Sequence, residues 1–416
     1  MLNIKPLKDH CWIRFDYEVL ELSTDLTGGT CTYDSLVILN SPSGPGGQLC
    51  GVKSGFSTVA RLPEDKDLQL SVLTQGPSYR WNIKMTQLKC NEISPLPNSS
   101  KCGRANGINP NGGFQRSNLL RRILKRKRLR KIRSLSNLPQ VAKKKLRNEI
   151  FHPSFTARQT FCTPKLKQQQ NDNVLTKIIN GQETQINQYP WIVSLQLSGD
   201  HFCGGTLIAE DWILTAAHCL EFGNVPDFLD RLSISVGDHD LAIDTETKSF
   251  IRHAEKIIVH PLWHNVPGSS GDIALIKLEK PVKTQNPICL PPQENIQDYS
   301  RQIGTAIGWG ITENGQNSDF LREVQLNIID NITCYETYKS LDVAIRQDFL
   351  CTLSGPLGNE NICNGDSGSP LMIFKNGKFT EVGLVTFSTS DCTAPLPAVF
   401  TRITYYLDWI MAAITP

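Results

Sequence analysis

Three short motifs in this 416-residue chain contain side chains that together can cleave an acyl bond. They are TAAHC at 215–219 with His218, GDIAL at 271–275 with Asp272, and CNGDSGSP at 363–370 with Ser367. A serine hydroxyl is a weak nucleophile until a base takes its proton, and a histidine titrates close enough to neutrality for that task. An acid beside the histidine holds its tautomer and stabilises the imidazolium. The motifs therefore predict an acyl-transfer site.

The glycine-rich run around the serine also suits an oxyanion hole. The backbone N–H groups of Gly365 and Ser367 can point at one spot, where the oxygen of a tetrahedral intermediate needs donors. Each motif has an ordinary explanation when taken singly: glycine, aspartate and serine are common in turns, and a lone histidine is often a core residue. The prediction rests on the combination.

The chain order His218, Asp272, Ser367, with these local strings, resembles the chymotrypsin/trypsin-like serine proteases. The resemblance spans residues 178–416 and includes CGGTLI at 203–208, GWG at 308–310 and PAVFT at 397–401. It implies an all-β fold of two six-stranded antiparallel barrels, followed by a C-terminal helix. The site would lie between the barrels, with His218 and Asp272 on the first and Ser367 on the second.

The junction between Lys177 and Ile178 resembles the activation site of a zymogen in this family, because Ile178 begins the run IINGQET. In the family the chain is cut before such an isoleucine. The new α-amino group then pairs with the acid that precedes the catalytic serine, here Asp366. The resemblance therefore implies activation by an upstream trypsin-like protease that accepts Lys177.

The specificity pocket departs from the trypsin pattern. Asn361 aligns with the pocket floor, where trypsin-like members carry an aspartate, and Ser388 and Ala398 align with the walls. Burying a lysine or arginine without a carboxylate partner is costly. We expect a neutral pocket that favours apolar or small polar side chains in a protein substrate. Asp391 is the nearest acid, and we expect it at the rim, where water screens its charge.

Thirteen cysteines indicate an oxidising compartment and a disulfide-bonded, extracellular protein. The resemblance implies four pairs in and around the protease part: Cys203–Cys219, Cys334–Cys351, Cys363–Cys392 and a tether Cys162–Cys289. The first residues contain no signal peptide, and the cysteine count is odd. Both observations predict that an N-terminal part is missing from this chain.

Residues 1–90 alternate apolar and polar residues in short runs separated by Gly/Pro turns, a pattern typical of a β-sandwich. The spacing around Cys31 and Cys50 resembles the second half of a CUB domain, in which these cysteines would form a disulfide. The whole chain would then be of the CUB–serine protease type. Some CUB domains bind calcium through an acid at the position of Asp34. Too few further ligands can be placed here, so an interaction module without a metal is expected.

Residues 91–177 are predicted to be a disordered basic linker with the activation peptide. Residues 116–147 contain 14 Lys and Arg and no acid. Residues 178–416 contain 14 Lys and Arg against 28 Asp and Glu, which gives a formal net charge of −14. The stretch 119–133 has three interpretations: a helix that binds a heparin-like polyanion or a membrane surface, a convertase site at 125–128, or a solvated linker. Glycosylation sequons begin at Asn98 and Asn331.

The leading hypothesis is a secreted serine endopeptidase made as a zymogen. The alternatives are a catalytically silent homologue that acts by binding, and a polyanion-binding protein that depends on residues 119–133.

No cofactor or metal is expected, since the loop from Asp238 to Lys248, which binds calcium in some relatives, ends in a lysine. Ser369 and Thr386 replace a glycine and a serine of the family pattern without excluding activity. We expect a monomer without a membrane span, since no apolar run reaches the length of a bilayer-crossing helix.

Overall fold

The structure is a computed structural model that describes most of residues 1–106 and of residues 181–415. It describes residues 1–23, 31, 33–42, 48–76, 79–92, 102–106, 181–220, 228–243, 247, 249–263, 269–292, 298–312, 316–341, 343–355, 358, 360–388, 392 and 396–415. Asn98, the basic stretch 119–133, Cys162, the Lys177–Ile178 junction and Asp391 all lie outside the described residues.

The N-terminal residues form two β-sheets, as their alternating pattern predicts. The strands are β1 (Leu2–Ile4), β2 (His10–Leu22), β3 (Ser35–Leu39), β4 (Gln48–Leu49), β5 (Gly51–Val52), β6 (Phe56–Arg61), β7 (Leu68–Leu73) and β8 (Arg80–Lys89). One sheet has the order β1-β7-β3-β4, and in the other β2 pairs with β5, β6 and β8. Ile13, Phe15 and Tyr17 are buried while Arg14 and Asp16 between them are half-buried, so β2 places alternate side chains in the core.

The second half of the chain is also mainly β. Its strands are β9 (Gln182–Glu183), β10 (Ile192–Leu197), β11 (Asp200–Ala209), β12 (Trp212–Thr215), β13 (Leu232–Val236), β14 (Phe250–Arg252), β15 (Ala254–Val259), β16 (Ala274–Leu278), β17 (Ile303–Gly308), β18 (Arg322–Ile329), β19 (Phe349–Leu353), β20 (Pro370–Lys375), β21 (Lys378–Phe387) and β22 (Ala398–Arg402). The mainly β fold predicted from the sequence is confirmed.

These strands form two antiparallel units. The second unit is a closed six-stranded barrel in the order β17-β20-β21-β22-β19-β18, because β17 and β18 also pair, and β9 attaches to β18 from outside. The first unit has the order β14-β13-β10-β11-β12-β16-β15. The outer edge of β15 is occupied by β6 of the N-terminal sheet, so this unit continues into its neighbour.

Three α-helices lie among the described residues: α1 (Phe228–Arg231), α2 (Asn331–Tyr338) and α3 (Ile403–Ile414). Helix α2 begins after Asp330, whose carboxylate accepts a hydrogen bond from Thr333 N at 2.8 Å and so satisfies a free N–H of the first turn. Helix α3 confirms the predicted C-terminal helix and buries most of its length. Within the described part of the chain, none of the helices has both the length and the apolar character needed to cross a bilayer.

The sheet of β2, β5, β6 and β8, called the N-terminal sheet below, meets the second half of the chain in a direct junction. Strands β6 and β15 pair in parallel, with Phe56 opposite Ile257 and Thr58 opposite Val259. Lys256 Nζ lies 2.9 Å from Asp16 Oδ1. These backbone and side-chain contacts make the N-terminal sheet a packed neighbour of the first antiparallel unit.

Among the described residues, six disulfides connect twelve cysteines. Cys203–Cys219, Cys334–Cys351, Cys363–Cys392 and Cys31–Cys50 are paired as predicted, and Cys11–Cys90 joins β2 to the end of β8. The predicted Cys162–Cys289 bridge is wrong, because Cys289 is bonded to Cys102. The hydrogen bonds of Gly103 explain why Cys102 is the partner of Cys289. The Gly103 N–H donates to Pro287 O at 2.9 Å, and the Gly103 carbonyl accepts from Phe379 N at 2.7 Å. These bonds place Cys102 beside Cys289.

Candidate active site

His218 and Asp272 come together because their strands are neighbours. His218 lies in a short 3-10 turn directly after β12, and Asp272 lies just before β16. Strands β12 and β16 are antiparallel, with Thr215 opposite Ala274, so the end of one meets the start of the other. The sequence motifs are thus positioned by an ordinary strand pair.

The Asp272 carboxylate makes two contacts with His218 and so sets the orientation of its imidazole ring. Asp272 Oδ2 lies 2.9 Å from His218 Nδ1, and Asp272 Oδ1 accepts from His218 N at 3.0 Å. Asp272 is 1% exposed, whereas the His218 side chain is 22% exposed. The carboxylate therefore orients the ring from the protein interior, while part of the imidazole is open to solvent.

The backbone of Asp272 is held by the second barrel. Thr401 Oγ1 donates to Asp272 O at 2.8 Å, and Thr386 Oγ1 lies 2.8 Å from Thr401 Oγ1. Thr386 stands where the family often has a serine that supports the acid. Here its hydroxyl contacts Thr401, which in turn contacts the main chain of Asp272. Thr401 ends the PAVFT motif, but the sequence did not reveal that its hydroxyl holds the main chain of Asp272.

The turn that carries Ser367 packs against the segment that leads to His218. Gly204 N donates to Ser367 O at 2.8 Å. Gly368 has a φ of +76°, and a Cβ there would lie 2.4 Å from Thr215 Oγ1 and 3.1 Å from Ala216 N. A larger residue at 368 would therefore push the serine turn away from the histidine. Ser367 itself is half-buried.

Gly365, the first predicted oxyanion donor, is held in place by His201. Gly365 has a φ of +91°, and its carbonyl accepts from His201 Nε2 at 3.0 Å. Since Nε2 donates, Nδ1 is the acceptor for Ser194 Oγ at 2.8 Å. Burial lowers the pKa of His201 to about 4, which keeps the ring neutral at neutral pH. His201 was missed from sequence, because a histidine two residues before the CGG motif carries no signal of this contact.

Asp366 is buried beside the serine. Its Oδ1 accepts from Gly310 N at 2.8 Å and its Oδ2 from Cys363 N at 2.9 Å. Burial raises the pKa of this carboxyl to about 6, although the two N–H groups act in the opposite direction. A Cβ at Gly310 would lie 2.5 Å from the Asp366 carboxyl carbon, so only glycine fits there. The predicted partner, the α-amino group of Ile178, lies outside the described residues.

Comparison with known proteins identifies the family. The family model for trypsin matches residues 178–410, which is more than half of the chain. The chain belongs to the trypsin family. A curated relative, the CLIP domain-containing serine protease B4 of Anopheles gambiae, is 32% identical over 255 residues, covering 56% of this chain and 69% of that protein. The protease resemblance seen in the motifs is confirmed, and the CUB-like interpretation of residues 1–90 stays a prediction.

The predicted pocket residues of this trypsin-family domain lie in a disulfide-linked region of the second barrel. Asn361 is 6% exposed; its Nδ2 donates to Cys392 O at 3.1 Å and its Oδ1 accepts from Ile362 N at 3.0 Å. Ala398 is buried at the start of β22, and Ser388 follows the paired strand β21. The Asn361 amide is therefore hydrogen-bonded through both its nitrogen and its oxygen, and it carries no charge.

Possible metal-ligand atoms at two places in the structure already form other bonds. Cys203, His218 and Cys219 place candidate ligand atoms within 4.8 Å of one another, but the two sulfurs form a disulfide and offer no thiolate. The Asp34 carboxylate accepts from the backbone N–H groups of Ser23, Gln75 and Gly76, each at 2.7 Å.

The sequon at Asn331 lies at the start of α2, with its amide in use. Asn331 Nδ2 donates to Arg346 O at 2.8 Å and to Phe349 O at 3.1 Å, and Oδ1 accepts from an Arg402 guanidinium nitrogen at 2.7 Å. A glycan on Nδ2 would replace at least one of these bonds. Glycosylation at Asn331 and at Asn98 stays a prediction.

Proposed function

We propose that this trypsin-family chain is a secreted serine endopeptidase, made as a zymogen and activated by cleavage between Lys177 and Ile178. The observation that carries the proposal is the buried Asp272 bonded through its carboxylate to both Nδ1 and N of His218, next to the turn of Ser367. The relative from Anopheles gambiae is named a serine protease, which agrees with this chemistry. Six disulfides agree with an oxidising, extracellular location.

The reaction follows from the roles of these groups. Ser367 Oγ attacks the carbonyl carbon of the scissile peptide while His218 Nε2 takes its proton. The carbonyl oxygen becomes an oxyanion that the N–H groups of Gly365 and Ser367 bind. The C–N bond then breaks, His218 returns the proton to the leaving amine, and an acyl group remains on Ser367. Water, deprotonated by His218, releases the acid and restores the serine. Asp272 stays ionised throughout and stabilises the imidazolium.

Substrate choice and activation complete the proposal. A neutral floor at Asn361 favours apolar or small polar side chains, because a buried lysine or arginine would lack a counter-charge. Activation then requires a different, trypsin-like protease that accepts Lys177, and the new Ile178 amine would pair with Asp366. The basic stretch 119–133 remains a proposed polyanion-binding segment, and we propose a monomer.

The rival is a catalytically silent homologue that acts by binding. The deciding experiment is to cut the purified full-length chain at Lys177 with a trypsin-like protease, inactivate that protease, and add a fluorophosphonate. Labelling at Ser367, together with hydrolysis after apolar residues, supports the endopeptidase. A folded, cut chain that never labels supports the rival.

A further inference from the structure

A chain of contacts runs from strand β6 of the N-terminal sheet to the loop that carries Asp272. Val59 lies on β6 one residue beyond Thr58, which is paired with Val259 of β15. Val59 O accepts a hydrogen bond from the indole Nε1 of Trp409 at 3.1 Å, and both residues are buried. Helix α3 of the protease part is therefore anchored directly to the N-terminal sheet.

His260 is the next member of this chain. Its ring lies against Trp409, with centroids 5.0 Å apart, and against Tyr406, with centroids 4.9 Å apart. Burial lowers the pKa of His260 to about 3, so the ring is neutral at neutral pH. Its Nδ1 accepts from Leu262 N at 3.2 Å. His260 thus acts as a fixed, uncharged packing element between helix α3 and the loop that follows β15.

Both neighbours of Asp272 in sequence contact this group. Gly271 N donates to Tyr406 Oη at 2.8 Å. Gly271 has a φ of +81°, and a Cβ there would lie 2.7 Å from His260 Nδ1, so the loop passes directly under the ring. On the other side of Asp272, Ile273 O accepts from His260 N at 3.2 Å. The backbone position of Asp272 therefore depends on where Tyr406 and His260 sit.

The junction has further contacts that keep β6 in place. Asp16 accepts from Lys256 Nζ at 2.9 Å and from Ser57 Oγ at 2.6 Å. A Cβ at Gly55 would lie 2.8 Å from a methyl carbon of Leu229 in α1, so the turn before β6 is pressed against the protease part. The Cys102–Cys289 disulfide holds the two parts together covalently. Cleavage at Lys177 would break none of these contacts.

We propose that the N-terminal sheet is a positioning element of the catalytic site. By holding Trp409 through Val59 O, it fixes the ring pair that supports Asp272, and so sets the orientation of His218. Trp409 and Tyr406 are positioning residues in this proposal, which rests on the proposed endopeptidase activity. Small displacements matter here, because a misplacement of about 1 Å in a catalytic group lowers the rate roughly a hundredfold.

The test uses the full-length chain cut at Lys177, and compares Trp409→Phe with Trp81→Phe. Trp409→Phe removes the N–H donor to Val59 O but keeps an aromatic ring against His260. Trp81 is 52% exposed on β8 and serves as the control. We expect kcat and the rate constant of fluorophosphonate labelling to fall about tenfold in Trp409→Phe, with KM within about twofold of wild type. Trp81→Phe should match wild type.

A second pair of variants tests the same junction from outside the helix. Lys256→Gln removes the cross-junction pair with Asp16, and we expect about a threefold lower labelling rate constant. Lys277→Gln is the matched control, because Lys277 lies opposite Lys256 and pairs at 3.0 Å with Glu255 within the same protease unit. The lysine side chains are 27% and 32% exposed. This comparison decides the matter if Trp409→Phe does not fold.

The labelling rate separates positioning from mere stability. A structural role would reduce the fraction of molecules that label, without changing the rate constant of those that do. A folded Trp409→Phe chain with the wild-type rate constant overturns the proposal, as does a Lys256→Gln chain indistinguishable from Lys277→Gln. A wild-type chain that never labels overturns the endopeptidase function itself.

Discussion

Cys102 and Cys289 form a disulfide between positions 187 residues apart, with Cα atoms 4.9 Å from each other. The bond links the segment after the N-terminal sheet to the segment between the two protease units. A cut at Lys177 falls between the two cysteines, so the N-terminal part stays attached in the absence of reductant.

A gel tests this link. After cleavage at Lys177, the wild-type chain should run as one band without reductant and as two bands with it. Cys102→Ser should give two bands in denaturant without reductant, and Cys162→Ser should behave as wild type. Release of the N-terminal fragment in Cys162→Ser, but not in Cys102→Ser, would restore the bridge that the family resemblance implied.

Ser367→Ala should abolish peptide hydrolysis and leave folding and cleavage at Lys177 intact, because only the nucleophilic oxygen is removed. Residual activity should be well below about a thousandth of wild type, because loss of the catalytic serine costs on the order of a millionfold in kcat and leaves only the contribution of binding and the oxyanion donors. Ser369→Ala is the matched control two residues away, and its buried hydroxyl has no hydrogen-bond partner among the described residues. Equal losses in the two variants would mean that the nucleophile is misassigned.

Asp366 should make the uncut chain less stable as pH rises from about 4 to 7. Burial raises its folded pKa from 3.8 to about 6, so the folded state binds the proton more tightly than the unfolded state. The stabilisation by the bound proton is fully present below the unfolded-state pKa, and it is lost as the pH rises through the folded-state pKa. Asp366→Asn cannot titrate and so removes this dependence. The unfolding free energy of the variant minus that of wild type should therefore increase by up to about 3 kcal/mol as the pH rises from about 4 to 7.

Asp298→Asn is the control for this titration, because it should show the opposite slope. Hydrogen bonds from Ser300 N and Oγ lower the pKa of Asp298, so its stabilisation is present above the unfolded value and is lost on acidification. Chemical denaturation of each uncut variant at several pH values measures both effects. A difference between Asp366→Asn and wild type that stays constant with pH would contradict the burial argument.

The uncut chain should not activate itself. Asn361 offers no carboxylate to Lys177, and an unpaired ammonium in the pocket costs several kcal/mol, or orders of magnitude in rate. Purified zymogen, alone and seeded with active enzyme, should therefore show no new Ile178 N-terminus. Seeded cleavage that accelerates and disappears in Ser367→Ala would show that the pocket accepts lysine. Asn361→Asp should gain hydrolysis after lysine and arginine, while losing the hydrogen bond to Cys392 O.

The sequence by itself determined the protease family, the mainly β fold and the candidate catalytic residues. His218, Asp272 and Ser367 each lie in a local string that specifies a strand end or a tight turn, so short-range pattern was sufficient to find them. The disulfides Cys203–Cys219, Cys334–Cys351 and Cys363–Cys392 followed from the same family pattern and span at most 29 residues.

Only the tertiary structure decided the contacts between distant segments. Cys289 bonds to Cys102 rather than to Cys162, because backbone hydrogen bonds of Gly103 bring that segment to the interbarrel region. His201 reaches Gly365 across 164 residues, and Trp409 reaches Val59 across 350. Such pairings depend on how sheets stack and which strand edge is free, and neither local propensity nor motif spacing encodes those choices.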